Sequence, residues 1–278
     1  MTESVTSTIA VGDARITAVL DAEGPFFAPL RETFPDASDD AWRAARQIDP
    51  TSMREPDTWW LAFRAYVVEV GGLVVLVDTG AASDTPARSS WTPSGPHLTE
   101  RLQDALGLAS DAVTHVVLTH LHGDHTAGSV DADGRPAFPQ AEYLVPAADV
   151  AAVESSGSPL HSGLVEPLRR SGRLRLRSGA VELVSQGTQA GVVPTPGHTP
   201  GHQTVVVEQA DEYAVLAGDV VLHAVQLVDP GTRYVYDDDH ETAALTRRDL
   251  LARWRSSGGV LGTAHLGVPW VSAERSPS

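Results

Sequence analysis

The feature that most limits how this chain can fold is a buried-type strand followed at once by a histidine-rich loop. Residues Val113–Thr119 form a near-continuous apolar run, as is typical of a strand covered on both faces of its sheet. The run leads directly into His-Leu-His-Gly-Asp-His at positions 120–125. Imidazole and carboxylate groups are the ligands that suit Zn²⁺ and similar ions. The segment therefore predicts a metal site at a sheet edge, against the alternative of a polar loop of solvated histidines.

Three further residues are predicted to complete this site, because each follows a predicted strand or a rigid loop. His198 lies in the rigid Pro/Gly-rich segment 194–202, Asp219 follows the strand Tyr213–Ala217, and His265 follows the strand Val260–Thr263. Two ions need about six protein ligands and an open position for water. The candidate set comprises His120, His122, Asp124, His125, His198, Asp219 and His265.

The pattern of strands and helices favours a sandwich of two sheets with outer helices, of the α/β or α+β class. Predicted strands outnumber predicted helices, and the helices fall between groups of strands. The clearest helices are predicted at His97–Leu108, Ala147–Glu154 and Glu241–Trp254. The 278 residues show no internal repeat and no low-complexity tail, so a single domain over 1–278 is expected.

Composition excludes several kinds of chemistry and partner. The chain has no cysteine and no lysine, which excludes disulfides, thiolate ligands and Schiff bases. A formal net charge of −16 leaves no basic surplus for nucleic acid. No apolar run approaches the ~18–20 residues of a membrane span, and the polar start lacks the features of a signal peptide. These observations predict a cytoplasmic chain that binds neither nucleic acid nor membrane.

The segment 21–58 contains five prolines and is predicted to be irregular, apart from a short helix at Asp36–Arg46. So long a connection favours an active-site cover or a dimer contact over a surface excursion without a role. Aromatic side chains near it are expected to line a substrate pocket, with core or dimer packing as the alternative, and His223 is expected either to join them or to be structural. The substrate-contact candidates are Phe26, Phe27, Trp59, Trp60 and His223, and Trp91 in the Ser/Pro/Gly loop 81–96 is a further aromatic.

Together these motifs resemble the metallo-β-lactamase fold superfamily. The match consists of the 120–125 run, Pro-Gly-His at 196–198, Gly-Asp at 218–219, His265, and Asp-Thr-Gly at 78–80. The resemblance covers about residues 61–266 and implies a four-layer αββα sandwich with a dinuclear site. It implies that His120, His122 and His198 hold one ion, that Asp124, His125 and His265 hold the other, and that Asp219 bridges them. Asp78 would anchor the ligand loop, and His202 would support the site.

Segments 218–226, 236–239 and 246–251 resemble the branch that contains methyl parathion hydrolase and quorum-quenching lactonase-like hydrolases. This implies a dinuclear zinc hydrolase in which a metal-bridging hydroxide attacks a lactone, ester or related small neutral substrate. Asp124 and Asp219 would orient the water and carry its proton, and iron, manganese or cobalt are alternatives for one zinc. The open alternatives are a thioesterase and a non-hydrolytic member, either lyase-like or binding. Homodimer formation is also left open.

Overall fold

The computed structural model describes residues 5–81, 97–184 and 186–273 of the chain. Trp91 and the loop predicted around it lie outside these residues. The helices are α1 (Leu30–Thr33), α2 (Asp39–Ile48), α3 (Leu98–Leu106), α4 (Gly123–Thr126), α5 (Ala147–Ser156), α6 (Glu166–Arg170), α7 (Ala224–Val228) and α8 (His240–Ser257). The strands are β1 (Thr6–Val11), β2 (Ala14–Pro29), β3 (Met53–Arg54), β4 (Thr58–Val70), β5 (Leu73–Val77), β6 (His115–Val117), β7 (Glu142–Pro146), β8 (Leu174–Arg177), β9 (Val181–Val184), β10 (Gln189–Pro194), β11 (Gln203–Gln209), β12 (Glu212–Leu216), β13 (Val260–Gly262) and β14 (Val271–Ser272).

Within the described residues the strands form two sheets. The first has the order β1-β2-β4-β5-β6-β7-β8, with β3 paired to β4, and the second has the order β14-β13-β12-β11-β10-β9. In the first sheet β5 to β8 run parallel, and in the second β12 and β13 run parallel. The carboxyl ends of parallel strands lie at the same sheet edge, so the loops after β5, β6, β12 and β13 are placed to meet.

Three buried clusters separate the four layers of the sandwich. One lies between the sheets and joins residues such as Val68 of the first sheet to Val205 of the second. A second packs α3 and α5 on the outer face of the first sheet, where Leu102 and Val150 meet its strands. A third packs α8 against β12 and β13 through side chains that include Trp254. The molecule is therefore the αββα sandwich that the sequence predicts.

The prediction that segment 21–58 is irregular is wrong. Strand β2 continues to Pro29 and pairs with β4 through two register shifts, and α1, α2 and β3 occupy much of the remainder. The second shift lies between Pro25 and Pro29, and prolines lack the N–H that a regular ladder requires. Helix α2 begins after Ser38, whose side chain accepts a hydrogen bond from the Ala41 N–H. A role of the segment as a cover or dimer contact stays a prediction.

No helix among the described residues combines the length and the apolar character that crossing a bilayer requires.

Candidate metal centre

The seven predicted ligand residues lie together where the loops after several strands of both sheets meet. They form two groups in which one nitrogen or oxygen atom of each residue lies within 4.8 Å of those of its neighbours. The first group comprises His120, His122, His198 and Asp219, and the second comprises Asp124, His125 and His265.

The first group is an array of three imidazole nitrogens and one carboxylate oxygen. His122 Nδ1 lies 2.9 Å from His120 Nε2 and 3.0 Å from His198 Nε2. Asp219 Oδ2 lies 3.3 Å from His198 Nε2 and 3.7 Å from His120 Nε2. His122 is the solvent-exposed member, so this half of the cluster is open to the cavity.

The second group lies close to the other carboxylate oxygen of Asp219. Asp219 Oδ1 lies 3.3 Å from both His125 Nε2 and His265 Nε2. Asp124 Oδ2 lies 3.7 Å from His125 Nε2 and 3.6 Å from His265 Nε2. Asp219 thus stands between the two groups and presents one oxygen to each.

The outer nitrogens of the ligand imidazoles are held by the scaffold. His125 Nδ1 lies 2.8 Å from Asp78 Oδ2, His198 Nδ1 lies 3.0 Å from Asp237 Oδ1, and His265 Nδ1 lies 3.0 Å from the Ala62 carbonyl oxygen. Because these oxygens accept hydrogen bonds, each Nδ1 carries a proton and each Nε2 faces the cluster. Contacts of this kind fix the tautomer and orientation of a metal-binding histidine.

Two further side chains hold the loops that carry the ligands. Asp78, at φ 59°, accepts hydrogen bonds from the Thr119 N–H at 2.8 Å and the Thr119 hydroxyl at 2.9 Å. Left-handed backbone at a non-glycine residue persists only when the surroundings stabilise it. In this conformation the Asp78 carboxylate contacts both His125 and the start of the histidine loop. His202 lies beneath the cluster, and its Nε2 accepts a hydrogen bond from the Asp219 N–H at 3.0 Å.

Three observations show that the cluster fits metal ions. His125 Nε2 and Asp219 Oδ1 are buried and have no hydrogen-bond partner, which is costly for polar atoms that nothing else satisfies. The closest nitrogen separations in the first group, 2.9 and 3.0 Å, are near the roughly 3.3 Å expected between two nitrogens on one tetrahedral zinc. The donor set contains only imidazole and carboxylate groups, which suit zinc, iron, manganese and cobalt.

The electrostatics of the cluster separate neutral imidazoles from charged ones. Burial holds the pKa of His120 well below its usual value, so its imidazole is neutral and ready to bind a cation. Burial would also lower the pKa of His125, but Asp219 and Asp78 overcome it and raise that pKa well above the usual value. Burial would raise the pKa of Asp219, but His125 and His265 hold it well below its usual range. Asp219 is therefore a carboxylate.

A cavity of about 200 Å³ opens over both groups and has mostly apolar walls. Phe26, Phe27 and Trp59 line it, and the Trp59 ring lies 6.3 Å from the His265 ring. Contact of these residues with a substrate stays a prediction. The complete lining is Phe26, Phe27, Trp59, Leu61, His122, Gly123, Asp124, His198, Asp219, Leu222, Tyr234, Tyr236 and His265.

The structure places Trp60 and His223 outside this cavity, which corrects the expectation for both. Trp60 neighbours Trp59 on β4, and successive side chains of a strand point to opposite faces. Its ring instead stacks under the Arg54 guanidinium at 3.5 Å. His223 is fully buried among Phe34, Trp42 and Trp59.

The hydrogen bonds of His223 also exclude a catalytic pairing with the serine beside it. Its Nδ1 accepts a hydrogen bond from the Val225 N–H at 3.1 Å, so the proton is on Nε2. That Nε2–H donates to Ser52 Oγ at 3.1 Å. A histidine that donates to a serine hydroxyl does not act as its base, so the role of His223 is to join segment 21–58 to α7.

Sequence reasoning missed the tyrosines that close the cavity. Tyr234 and Tyr236 lie on the connection between α7 and α8 and reach the cavity together with Phe26, whose ring lies 6.4 and 5.9 Å from theirs. The run at 236–239 stands out in the sequence, but its pattern does not indicate that Asp237 contacts His198. Nor does it indicate that the Tyr234 side chain points into the cavity.

Comparisons with known proteins agree with the geometry. The model of the metallo-beta-lactamase superfamily matches residues 63–265. A protein of Mycobacterium tuberculosis described as a probable metallo-hydrolase is 33% identical over 137 residues, which are 43% of this chain and 41% of that protein. The match thus spans less than half of that relative's length.

Two solved structures share the fold over nearly the whole chain. The hydrolase AbOPH, of the beta lactamase superfamily, superposes with a TM-score of 0.76 at 24% identity, covering 97% of this chain and 92% of its own. AidC, described as a dizinc quorum-quenching lactonase in complex with a product, superposes with a TM-score of 0.72 at 18% identity, covering 96% and 93%. Likeness at these identities shows the shared architecture alone.

Proposed function

This chain belongs to the metallo-beta-lactamase superfamily, and we propose that it is a hydrolase that uses two zinc ions to cleave a small neutral ester or lactone. The observation that carries the proposal is the position of Asp219 between two ligand groups, with one oxygen facing each. Seven oriented ligands are too many for a single tetrahedral ion. The relative described as a probable metallo-hydrolase supports the same chemistry, and the dizinc lactonase shares the fold.

Some residues of the site would hold the ions, and two of them would also orient the water molecule. When bound, the two ions would supply Lewis acidity and bring the pKa of a water molecule towards neutrality. His120, His122 and His198 would hold one ion and His125, His265 and Asp124 the other, with Asp219 shared. Asp124 and Asp219 are the carboxylates that line the cavity, so they are placed to orient the attacking water and to accept its proton.

The cavity walls favour a small, uncharged and partly apolar substrate. Phe26, Trp59, Leu61 and Leu222 supply apolar surface, and the cavity of about 200 Å³ lies below the ~300–1,000 Å³ of sites for drug-sized ligands. Among the described residues, the lining contains two carboxylates and no arginine. The formal net charge of −16 also disfavours the approach of an anionic substrate at long range.

The test compares metal-free and zinc-loaded protein on four kinds of bond: lactones, aryl esters, thioesters and phosphotriesters. The expected result is about two ions per chain by elemental analysis, with turnover of lactones or aryl esters only when zinc is present. Preference for thioesters would instead favour the thioesterase alternative. A zinc-loaded protein that turns over none of the four would contradict the proposal.

A further inference from the structure

We infer that Tyr234 is a catalytic residue of this site, whose hydroxyl donates a hydrogen bond to the oxygen of the substrate's reacting carbonyl or phosphoryl group. This inference rests on the proposed function and adds a catalytic role for the phenol of Tyr234, which lies deep in the cavity.

The first observation is the location of the Tyr234 ring. It lines the cavity together with His198, Asp219 and Asp124, and it is only 6% exposed. Its centroid lies 5.9 Å from that of His198 at an interplanar angle of 33°. Phe34 and Trp59 pack against it at 5.4 and 6.3 Å. A ring packed on several sides presents its hydroxyl in a fixed direction, as transition-state stabilisation requires.

The second observation is that the Tyr234 hydroxyl makes no hydrogen bond to any residue in the described ranges. Fully buried hydroxyl groups are almost always paired, whereas the Tyr234 hydroxyl is not among the fully buried unpaired atoms of the described residues and is therefore reached from the cavity. Buried Tyr66 and Tyr143 follow this rule, because their hydroxyls donate to backbone carbonyls at 2.9 and 3.1 Å. An unpaired phenol on the wall of a reaction cavity is therefore available to a ligand.

The third point is the chemistry of the phenol. An ordinary tyrosine hydroxyl has a pKa of about 10, so it carries its proton near neutral pH. The Tyr234 hydroxyl can therefore act as a donor to the oxygen of a bound substrate. Attack on a carbonyl or phosphoryl centre builds negative charge on its oxygen, so the hydrogen bond strengthens as the reaction proceeds. The proton stays on Tyr234, and no bond of the residue is made or broken.

Other donors in the cavity are less suited to this role. The candidate ligand imidazoles direct nitrogen atoms at the cluster of ligand groups, and Tyr236 is 43% exposed at the outer part of the wall. Trp59 Nε1 is buried without a partner, and its ring is T-shaped to that of His223, which lies outside the cavity. Tyr234 alone in the described lining combines depth, packing and an uncommitted O–H group.

The test is Tyr234→Phe, which removes the hydroxyl and keeps the packed ring. Tyr213→Phe is the matched control, because Tyr213 belongs to the same buried cluster but lies on β12 outside the cavity. Zinc content and melting temperature are measured for both variants. We expect kcat/KM of Tyr234→Phe to fall about 10- to 100-fold, mainly through kcat, as for a hydrogen bond to a charged group, while Tyr213→Phe stays near wild type.

A second readout does not depend on turnover. Phenyl methylphosphonate, a stable tetrahedral probe, is titrated into zinc-loaded protein and its binding is followed by tryptophan fluorescence. Tyr234→Phe should weaken this binding by the same factor, and 3-fluorotyrosine at position 234, which retains the O–H, should restore it. If wild type turns over no substrate, the proposed function fails, and the phosphonate titration still decides the role of Tyr234. Activity and phosphonate binding of Tyr234→Phe within about threefold of wild type would overturn the inference.

Discussion

The two oxygens of Asp219 have different neighbours, and this asymmetry makes the residue the link between the two ligand groups. The histidines and Asp124 each belong to one group, whereas Asp219 faces both. Removing its charge would weaken metal binding at both groups at once. In an asparagine, one of the two oxygens is replaced by an amide nitrogen, which donates a hydrogen bond where a metal ligand must offer a lone pair. Loss of any other ligand would chiefly affect one ion.

We expect Asp219→Asn to lower zinc content towards one ion per chain and to reduce kcat by at least about 100-fold, because the shape is kept while the shared negative charge is lost. Elemental analysis and ester kinetics measure both effects. Asp104→Asn, the same replacement at an exposed position of α3, is the control. Retention of both ions and of near-wild-type turnover in Asp219→Asn would contradict its assignment as the bridge.

A second residue, His223, makes stability depend on pH. Burial lowers its pKa from 6.5 to about 4. The unfolded chain takes up a proton near pH 6.5 while the folded chain still excludes it, so stability falls as the pH drops from about 6.5 towards 4. A shift of this size corresponds to about 3 kcal/mol of unfolding free energy.

We therefore expect His223→Gln to show a shallower loss of unfolding free energy than wild type between pH 6.5 and 4. Urea unfolding at several pH values and matched metal content measures the slopes. His97→Gln, at a partly exposed histidine, should keep the wild-type slope. Parallel slopes for His223→Gln and wild type would show that the buried imidazole does not control acid stability.

At the scale of elements, the α7–α8 connection joins the cavity wall to the metal cluster. Buried Arg247 of α8 donates to the carbonyl oxygens of Val220 at 2.6 Å, Pro230 at 3.0 Å and Thr232 at 3.1 Å. It also reaches Asp237 Oδ2 at 3.5 Å, and Asp237 Oδ1 accepts from His198. One guanidinium thus holds the backbone next to Asp219 and the carboxylate that orients His198.

From this linkage we expect Asp237→Asn to weaken zinc binding at the His198 group by about 10- to 100-fold, in line with other residues that hold a metal ligand. Zinc affinity is measured by competition with a chromogenic chelator. Asp238→Asn, at the exposed neighbouring position, should bind zinc as the wild type does. Equal affinities in the two variants would show that the Asp237 contact does not support the site.

Some elements of this fold can be predicted from the sequence and others cannot. Residues 120–125 form a local motif after a buried strand, and this is why the candidate ligands were recognisable. The extension of β2 to Pro29 was missed because its prolines mimic a loop and its pairing depends on β4, a distant segment. Sequence does not reveal which face of β4, or of the segment before α7, turns inward, so the pattern favours a pocket position for Trp60 and His223 that the structure does not give them. The inward turn of Tyr234 likewise depends on packing against Phe34 and Trp59.

For the molecule as a whole, the ligand set ties the two sheets together. His120, His122 and His125 follow β6 of the first sheet, whereas Asp219 and His265 follow β12 and β13 of the second. Ions held between them bind the folded chain and not the unfolded one, so they add stability by mass action.

We expect chelation by EDTA to lower the melting temperature by roughly 5–10 °C, the shift that about 2.7 kcal/mol of binding free energy produces in a chain of this size. Differential scanning fluorimetry follows the loss, and its reversal on adding zinc is the control for damage by the chelator. A melting temperature that EDTA does not change would mean that metal binding and folding are uncoupled.

The absence of arginine from the described cavity lining also bears on what happens after the bond is cut. Hydrolysis of an ester or lactone converts an uncharged molecule into a carboxylate. In this cavity no guanidinium would retain that new anion, so the ions held by the ligand residues would be its cationic partners there. The walls therefore add no charge attraction for the acid product, and inhibition by that acid should depend on the bound ions.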